Sequence, residues 1–407
     1  MAVLVTGATG YVGSYVAAAL LARDETLLVL VRAASRAAAE ERLWQAWQLH
    51  MDAAAFARHL GRVRIVPGDL TQPGLGLPPE DRRVLVESTS SIIHAAAALN
   101  RRSERACLNV NVRGTLAILE LARAAHEHHG LRRFSHVSTV AVAGERLHEV
   151  VREDDAIDWN RRDYDPYGRT KKLCEHLVRE LLPGVPRTVF RPSIVMGDSR
   201  FPATTQFDMV RALSFLAGLP MLPFRPLDRL DVVPADWVGE AIVDLHLRPA
   251  PRHETYHLSA GRASPTYRSL SDVLAAATGR KPPAYVPGLA RPSGALLAAL
   301  SRWAPGELRR GARLLGAFWP YLLWDTVFEN TRAVSELGRA PAPFGAYCAP
   351  LLEFARAHAF RYPLREREPR RAPPESRPAA PPPPPARATA ASPRFGNGAT
   401  RPDGGAP

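Results

Sequence analysis

Lysine is nearly missing from this chain. Of 53 basic residues among 407, only Lys171, Lys172 and Lys281 are lysines, and arginine supplies the rest. A lysine that persists against such a bias marks a position where an ammonium is wanted. Cysteine is as scarce: Cys107, Cys174 and Cys348 are odd in number and far apart. That excludes a disulfide framework and metal-knuckle spacing, and suits a reducing compartment. No apolar run approaches the roughly 18 residues of a membrane span, and no basic segment precedes the first apolar run as a leader would require. A cytoplasmic location is expected. The net charge of +13 comes without basic motifs interleaved with aromatics, so nucleic acid is not expected as a partner. His126, His128 and His129 precede Gly130. There they complement a helix C-terminus rather than build a metal site, and no metal is expected.

The chain is organised around its first stretch, Val3-Leu-Val-Thr-Gly7-Ala-Thr9-Gly10-Tyr11-Val12-Gly13. A short apolar run meets glycines at intervals of three and passes into an Ala/Leu-rich helix from Ser14 to Ala22. Gly7 permits the tight turn, Gly10 lets backbone N–H groups approach a pyrophosphate, and Gly13 lets helix and strand pack closely. The helix N-terminus then favours phosphate. Leu27 to Val31 reads as a second strand, ending at Arg32. An acid at that point would bind a ribose 2′-hydroxyl, whereas arginine suits the 2′-phosphate of NADP. Residues 36–60 read as helical.

Further strands are expected at Val63–Val66, followed by Gly68-Asp69-Leu70, and at Ile92–His94, followed by Ala95-Ala96-Ala97-Ala98. Small residues at a strand's carboxyl end leave room for a flat ring. His94 is expected to be buried and bonded to backbone. One long helix is expected from Glu104 to Glu127, carrying Asn111. The strand Phe134–Ser138 ends at Ser138-Thr139, a helix opens at Tyr167-Gly-Arg-Thr-Lys171, and the strand Arg187–Arg191 leads to Pro192. Alternating β and α segments predict a doubly wound parallel sheet of Rossmann type.

Residues 1–260 are expected to form the dinucleotide-binding domain, with 196–230 contributing to the substrate pocket. Residues 261–363, with amphipathic segments such as Leu314–Leu323, predict a smaller, mostly helical C-terminal cap that binds substrate. Within it 291–324, rich in Arg and Trp, is a candidate for peripheral membrane contact. Residues 364–407 hold five consecutive prolines and few apolar anchors, which predicts disorder.

Tyr167 and Lys171 are one helical turn apart and share a face. A phenol near pKa 10 is a poor acid–base group at neutral pH. A neighbouring ammonium and an oxidised nicotinamide favour the phenolate, and lysine also reaches a ribose hydroxyl. Thr139, or Ser138 beside it, is expected to bind a substrate carbonyl, and Asn111 to orient a water in a proton relay.

These motifs, in this order and spacing, resemble the extended short-chain dehydrogenase/reductases. The resemblance implies that Asp69 contacts adenine, that residues 95–97 border ribose and nicotinamide, and that Thr139 is the catalytic hydroxyl, with Ser138 the alternative. It covers about 1–260. Within the superfamily, Leu30-Val-Arg-Ala33, Gly68-Asp-Leu70, His136-Val-Ser-Thr139 and Arg191-Pro-Ser-Ile-Val-Met-Gly-Asp-Ser199 resemble fatty acyl-CoA reductases and the thioester reductase domains of carboxylic acid reductases and peptide synthetases. That branch implies NADPH-dependent reduction of an acyl thioester, bound to coenzyme A or to an acyl carrier protein, to aldehyde, with a second reduction to alcohol left open. Gly7, Thr9, Gly10, Tyr11, Val12, Gly13, Arg32, Asp69, Leu70, Ala95, Ala96, Ala97, Lys171 and Pro192 are the cofactor-binding candidates. No carrier or adenylation segment is visible in the sequence, so a stand-alone reductase is expected. The rivals are an extended-family enzyme acting on a nucleotide sugar or hydroxysteroid, which Arg32 disfavours, and a non-catalytic NADP-binding redox sensor, which the Thr–Tyr–Lys set disfavours.

Overall fold

A computed structural model describes residues 2–366, apart from Trp324 and the side chains of Arg291 and Glu307. The expected disordered tail lies outside the described residues from 367 onward. Just before that point, Arg365 N donates to Gln48 Oε1 at 2.7 Å, and Trp44 Nε1 donates to Arg365 O at 3.2 Å.

Seven parallel strands form the central sheet: β1 (Ala2–Thr6), β2 (Leu27–Val31), β3 (Val63–Pro67), β4 (Thr89–His94), β5 (Phe134–Val137), β6 (Arg187–Pro192) and β7 (Thr255–Leu258). Their spatial order is β7-β6-β5-β4-β1-β2-β3. β1 and β2 are buried at every residue, as a sheet covered on both faces requires. Alternation divides their side chains between the faces. Val3, Val5, Val29 and Val31 pack on one side with Trp44, Trp47 and Ile242. Leu4, Leu28 and Leu30 pack on the other with Ile118 and Leu121. The first layer holds α1 (Tyr11–Leu21), α2 (Arg36–Trp47) and, farther along, α6 (Ala235–Leu247). The second holds α3 (Gly114–His129) and α4 (Pro166–Leu181), with α5 (Asp208–Leu216) lying between them and α6 in the chain.

Strand order reverses beside β1, which pairs with β2 on one edge and β4 on the other. Connections leave these strands toward opposite faces, and a crevice opens at their carboxyl ends. The Gly7–Gly13 turn and Ala95–Ala97 border it.

The expected single helix from Glu104 is instead a short α-turn, a π-helical segment at Leu108–Arg113, and then α3. Asn111 lies in the π segment, where its carbonyl accepts from Cys174 Sγ at 3.3 Å. The widened turn turns Asn111 inward toward Ala98 and Thr170.

The C-terminal region forms a second apolar cluster from α5, α7 (Tyr267–Thr278), the hairpin α8 (Ala290–Trp303) and α9 (Gly306–Leu322), and a later helix at Cys348–Ala357. Residues 196–230 contribute Met196, Met209, Leu222 and Phe224 to it. The outer side of the α8–α9 hairpin exposes Leu296 and Trp303. Among the described residues no helix is long and apolar enough to cross a membrane. The region expected to be a continuous cap from 261 is interrupted, because 327–337 returns to the main body. Val327–Phe328 pairs with Val150–Val151, and α10 (Thr331–Leu337) packs beside β7 and α6.

Buried Glu153 fastens this return. Its carboxylate accepts from His257 N at 2.9 Å and from Arg332 N, in the first turn of α10, at 2.6 Å. Burial outweighs those donors and raises its pKa to about 7. A carboxyl whose folded pKa lies above its unfolded one stabilises fully below the unfolded value and loses that contribution as pH rises through the folded one. The stability of the wild type relative to Glu153→Gln should therefore fall between about pH 4.5 and 7 and then level. Urea unfolding of both proteins across that range checks it; parallel pH dependences would refute it.

Candidate active site

The turn after β1 is built by close backbone approach. Gly7 has φ +77°, and a Cβ there would lie 2.6 Å from Ala96 N. A Cβ on Gly13 would lie 2.0 Å from Gly7 O. Both contacts are backbone and cannot yield by a side-chain rotation. This cradle opens into a cavity of about 530 Å3. Every cofactor-binding candidate except Lys171 lines it, as do Ser138, Thr139 and Tyr167. Lys171 and Asn111 sit behind its wall.

At the far end of β2 the exposed Arg32 side chain lines the cavity, joined by Arg42 from α2. Arg42 Nη1 donates to Arg32 O. Arg42 carried no signal in the sequence, since only the return of α2 toward the strand end brings it there. Asp69 Oδ1 accepts from Thr71 N at 2.9 Å and Thr71 Oγ1 at 2.8 Å, which fixes the loop after β3. Tyr11 Oη donates to Gly197 O at 3.1 Å and ties the turn to the loop after β6.

β5 delivers Ser138 and Thr139. Thr139 Oγ1 accepts from Ala141 N at 3.2 Å as the cap of a short 3-10 turn. Ser138 Oγ is buried without a hydrogen-bond partner among the described residues, and a buried hydroxyl left so calls for a partner from a ligand. α4 delivers Tyr167. Its N-cap is Asp165, whose Oδ1 accepts from Gly168 N at 2.8 Å, and Pro166 occupies the first helical position. Burial raises the Tyr167 phenol to about pKa 12. Against that act the Arg101 cation and the Thr139 hydroxyl.

Three expected geometries differ. Lys171 was placed beside the phenol, but its Nζ lies 3.4 Å from His136 Nε2. It is buried, and desolvation lowers its pKa. The cation that favours the Tyr167 phenolate is Arg101, in the loop after β4. Asn111 was expected to orient a water, yet its amide is committed to protein. Oδ1 accepts from Ala98 N at 2.7 Å, and Nδ2 donates to Thr170 Oγ1 at 2.9 Å and to Ala98 O at 3.3 Å. It holds the loop after β4 against α4. His94 is buried, with its ring nitrogens 2.7 Å and 3.1 Å from the Thr6 and Thr115 hydroxyls rather than on backbone, and burial lowers it to about pKa 3. Lys172 pairs with Asp163 at 2.7 Å and holds the loop before α4.

Residues 5–242 match the family described as male sterility protein, an NAD-binding domain. The chain belongs to this family of extended short-chain dehydrogenase/reductases. It is 26% identical over 305 residues to a putative fatty acyl-CoA reductase of Drosophila melanogaster, covering 65% of this chain and 55% of that protein. It is 30% identical over 287 residues to the carboxylic acid reductase of Mycobacterium tuberculosis, covering 63% and 24%. The terminal R domain from the myxalamid PKS-NRPS biosynthetic pathway superposes with a TM-score of 0.74 at 25% identity, covering 88% of this chain and 91% of that one. This chain therefore spans only part of the curated relatives and nearly the whole of the solved R domain. It has the NAD(P)-binding fold of an oxidoreductase, with homologues among thioester and fatty acyl-CoA reductases.

The glycine cradle and the orphaned Ser138 hydroxyl fit a nicotinamide dinucleotide. Gly13→Ala should weaken dinucleotide binding by tenfold or more and destabilise the fold by about 1–3 kcal/mol, the usual cost of overpacking. Calorimetric titration and thermal melting check both, and wild-type values would show that the turn has room to open.

Proposed function

We propose that this protein is an NADPH-dependent reductase of acyl thioesters, yielding aldehyde and then alcohol. The observation that carries the reading is the shared cavity: Thr139 and Tyr167 stand on the wall that continues from the glycine cradle, with Phe318 and Tyr321 of α9 on the same wall. A thin acyl thioester fits between a dinucleotide and these aromatic rings better than a bulky polar sugar does. The similarity to fatty acyl-CoA and carboxylic acid reductases supports the same substrate class.

The backbone N–H groups around Gly10 and the α1 N-terminus would hold the pyrophosphate. Arg32 and Arg42 would hold the 2′-phosphate through charge-assisted hydrogen bonds, Asp69 the adenine end, and Lys171 the nicotinamide ribose once its head turns from His136. NADPH, when bound, supplies hydride to the carbonyl carbon.

The protein's own part is to place and stabilise the carbonyl oxygen. Thr139 Oγ1 and Tyr167 Oη donate to it as negative charge develops, with Ser138 available beside them. The tetrahedral thiohemiacetal oxyanion then re-forms its carbonyl as the carbon–sulfur bond breaks, releasing aldehyde and a thiolate, which leaves without obligatory protonation. Aldehyde reduction differs, because the alkoxide must gain a proton, and Tyr167 is the group placed to give it. The thiol is carried by coenzyme A or by an acyl carrier protein, and the arginine-rich surface suits either anionic donor.

NADPH oxidation against a panel of acyl-CoAs, with products identified, tests the reading; no turnover with any thioester or aldehyde would refute it. Tyr167→Phe should lower aldehyde reduction by about 10²–10⁴, the usual worth of general acid catalysis, and spare thioester cleavage by comparison. Equal loss in both steps would remove Tyr167 as the specific proton donor. Arg32→Ala should weaken NADPH by about 1.5–3 kcal/mol, the worth of a hydrogen bond to a charged group, and leave NADH nearly unchanged. Equal use of both cofactors by the wild type would refute the preference.

A further inference from the structure

We propose that Arg101 receives the phosphate of a 4′-phosphopantetheine arm, the thiol that carries the acyl group, and selects for thioesters bearing that phosphate. This rests on the thioester reading above.

Three cations line the cavity: Arg32, Arg42 and Arg101. The first two stand together at the end of β2, where Arg42 Nη1 donates to Arg32 O, and the 2′-phosphate of the cofactor accounts for them. Arg101 follows β4, on the other side of β1 in the sheet. The cavity thus has a second basic pole, and no step derived above uses it.

Arg101 is held in place with much of its hydrogen-bonding capacity unspent. Its guanidinium carbon lies 4.4 Å from the Phe318 ring centroid and 5.2 Å from that of Tyr321. Its Nε is 3.4 Å from Asp165 Oδ2. Tyr321 Oη donates to that same oxygen at 2.7 Å, while the other oxygen caps α4 through Gly168 N. Asp165 is therefore shared among Arg101, Tyr321 and Gly168, and Arg101 gains a single contact rather than a two-pronged pair. A guanidinium is a planar fork of N–H donors that matches phosphate, and aromatic faces accept its flat side without competing for those donors.

The positive charge continues outward. Arg102 Nη2 donates to Arg313 O at 3.0 Å, which joins the loop after β4 to α9. Arg309 lies one helical turn before Arg313 and shares its face. Arg102, Arg309 and Arg313 are exposed and meet no carboxylate among the described residues. Arg101 is the inner member of the set: it lines the cavity, and 23% of its side chain is accessible. With the thioester carbonyl held at Thr139 and Tyr167, the thiol arm has to lead back to solvent, because its carrier is too large to enter a cavity of about 530 Å3. The phosphate of that arm then meets the arginines.

A graded series of thioesters of one acyl group tests this: N-acetylcysteamine, pantetheine, 4′-phosphopantetheine and coenzyme A. In the wild type kcat/KM should rise at least about tenfold from pantetheine to phosphopantetheine, the worth of one charge-assisted hydrogen bond, and chiefly through KM. Arg101→Met and Arg101→Gln should each remove most of that step, and Arg101→Lys should keep part of it. No step in the wild type, or a full step in both variants, would show that Arg101 only braces α9 and would overturn the proposal. So would a loss that appears as weaker NADPH binding by calorimetry, since the phosphate served would then be the cofactor's. Acyl-CoA and a carrier protein loaded with the same acyl-phosphopantetheine, run in parallel, distinguish the two sources of the phosphate. Binding of the free thiols separates the proposal from the functional reading. Titrated into the NADP+-loaded protein, phosphopantetheine should bind at least about tenfold more tightly than pantetheine, and Arg101→Met should erase the difference. That result in a protein that reduces no thioester would sink the reductase reading and leave the Arg101 assignment standing. Turnover of all these thioesters at equal kcat/KM would do the reverse.

Discussion

Two peptide groups that nearly touch set the plan of this molecule. Gly13 packs against Gly7 O so closely that no side-chain carbon fits between them, and a side-chain carbon on Gly7 would strike Ala96 N. The first contact brings α1 down onto β1. The second brings the loop after β4 against the turn after β1. Both lie where strand order reverses, so the sheet itself opens the crevice and the glycines keep it clear. Every later element that lines the cavity is placed relative to that pair of contacts.

A second constraint holds α4, the helix that presents Tyr167 to the cavity. Glu175 of α4 and Arg191 of β6 form a buried two-pronged ion pair, at 3.0 Å and 2.7 Å. Removing one partner of such a pair costs about 3–5 kcal/mol, because the other charge stays buried. At the N-terminal end Asp165 caps the helix, and Asn111 braces its first turns through Thr170. α4 is thus fixed at its start, its middle and against the sheet. That is the condition for holding a hydroxyl in a productive position without help from substrate.

The C-terminal region is less a separate domain than a roof attached at several points. Its apolar cluster joins residues on both sides of 261, and the 327–337 segment returns to the main sheet under the Glu153 carboxylate. The roof reaches the cavity at Phe318 and Tyr321 of α9 and at Asp208 and Met209 of α5.

The sequence by itself determined the elements that local chemistry controls. Glycine spacing fixed the first turn, because backbone approach leaves no tolerance for a Cβ. Continuous apolar runs such as Leu27–Val31 declared strands buried on both faces, and the i, i+4 pair in α4 set a common helical face. Tertiary structure alone decided which charges meet. Arg101 reaches Asp165 and the Phe318 ring because the loop after β4, the start of α4 and α9 converge there, and Arg42 reaches Arg32 because α2 folds back toward the end of β2. Lys171 faces His136 rather than its helical neighbour, since a long side chain follows the buried space open to it. The π-helical turn at Asn111 was hidden for the same reason: a one-residue widening pays for contacts with Ala98 and Cys174, which are distant in the chain. Periodicity reports which face of an element is buried, and the partners on that face come only from the fold.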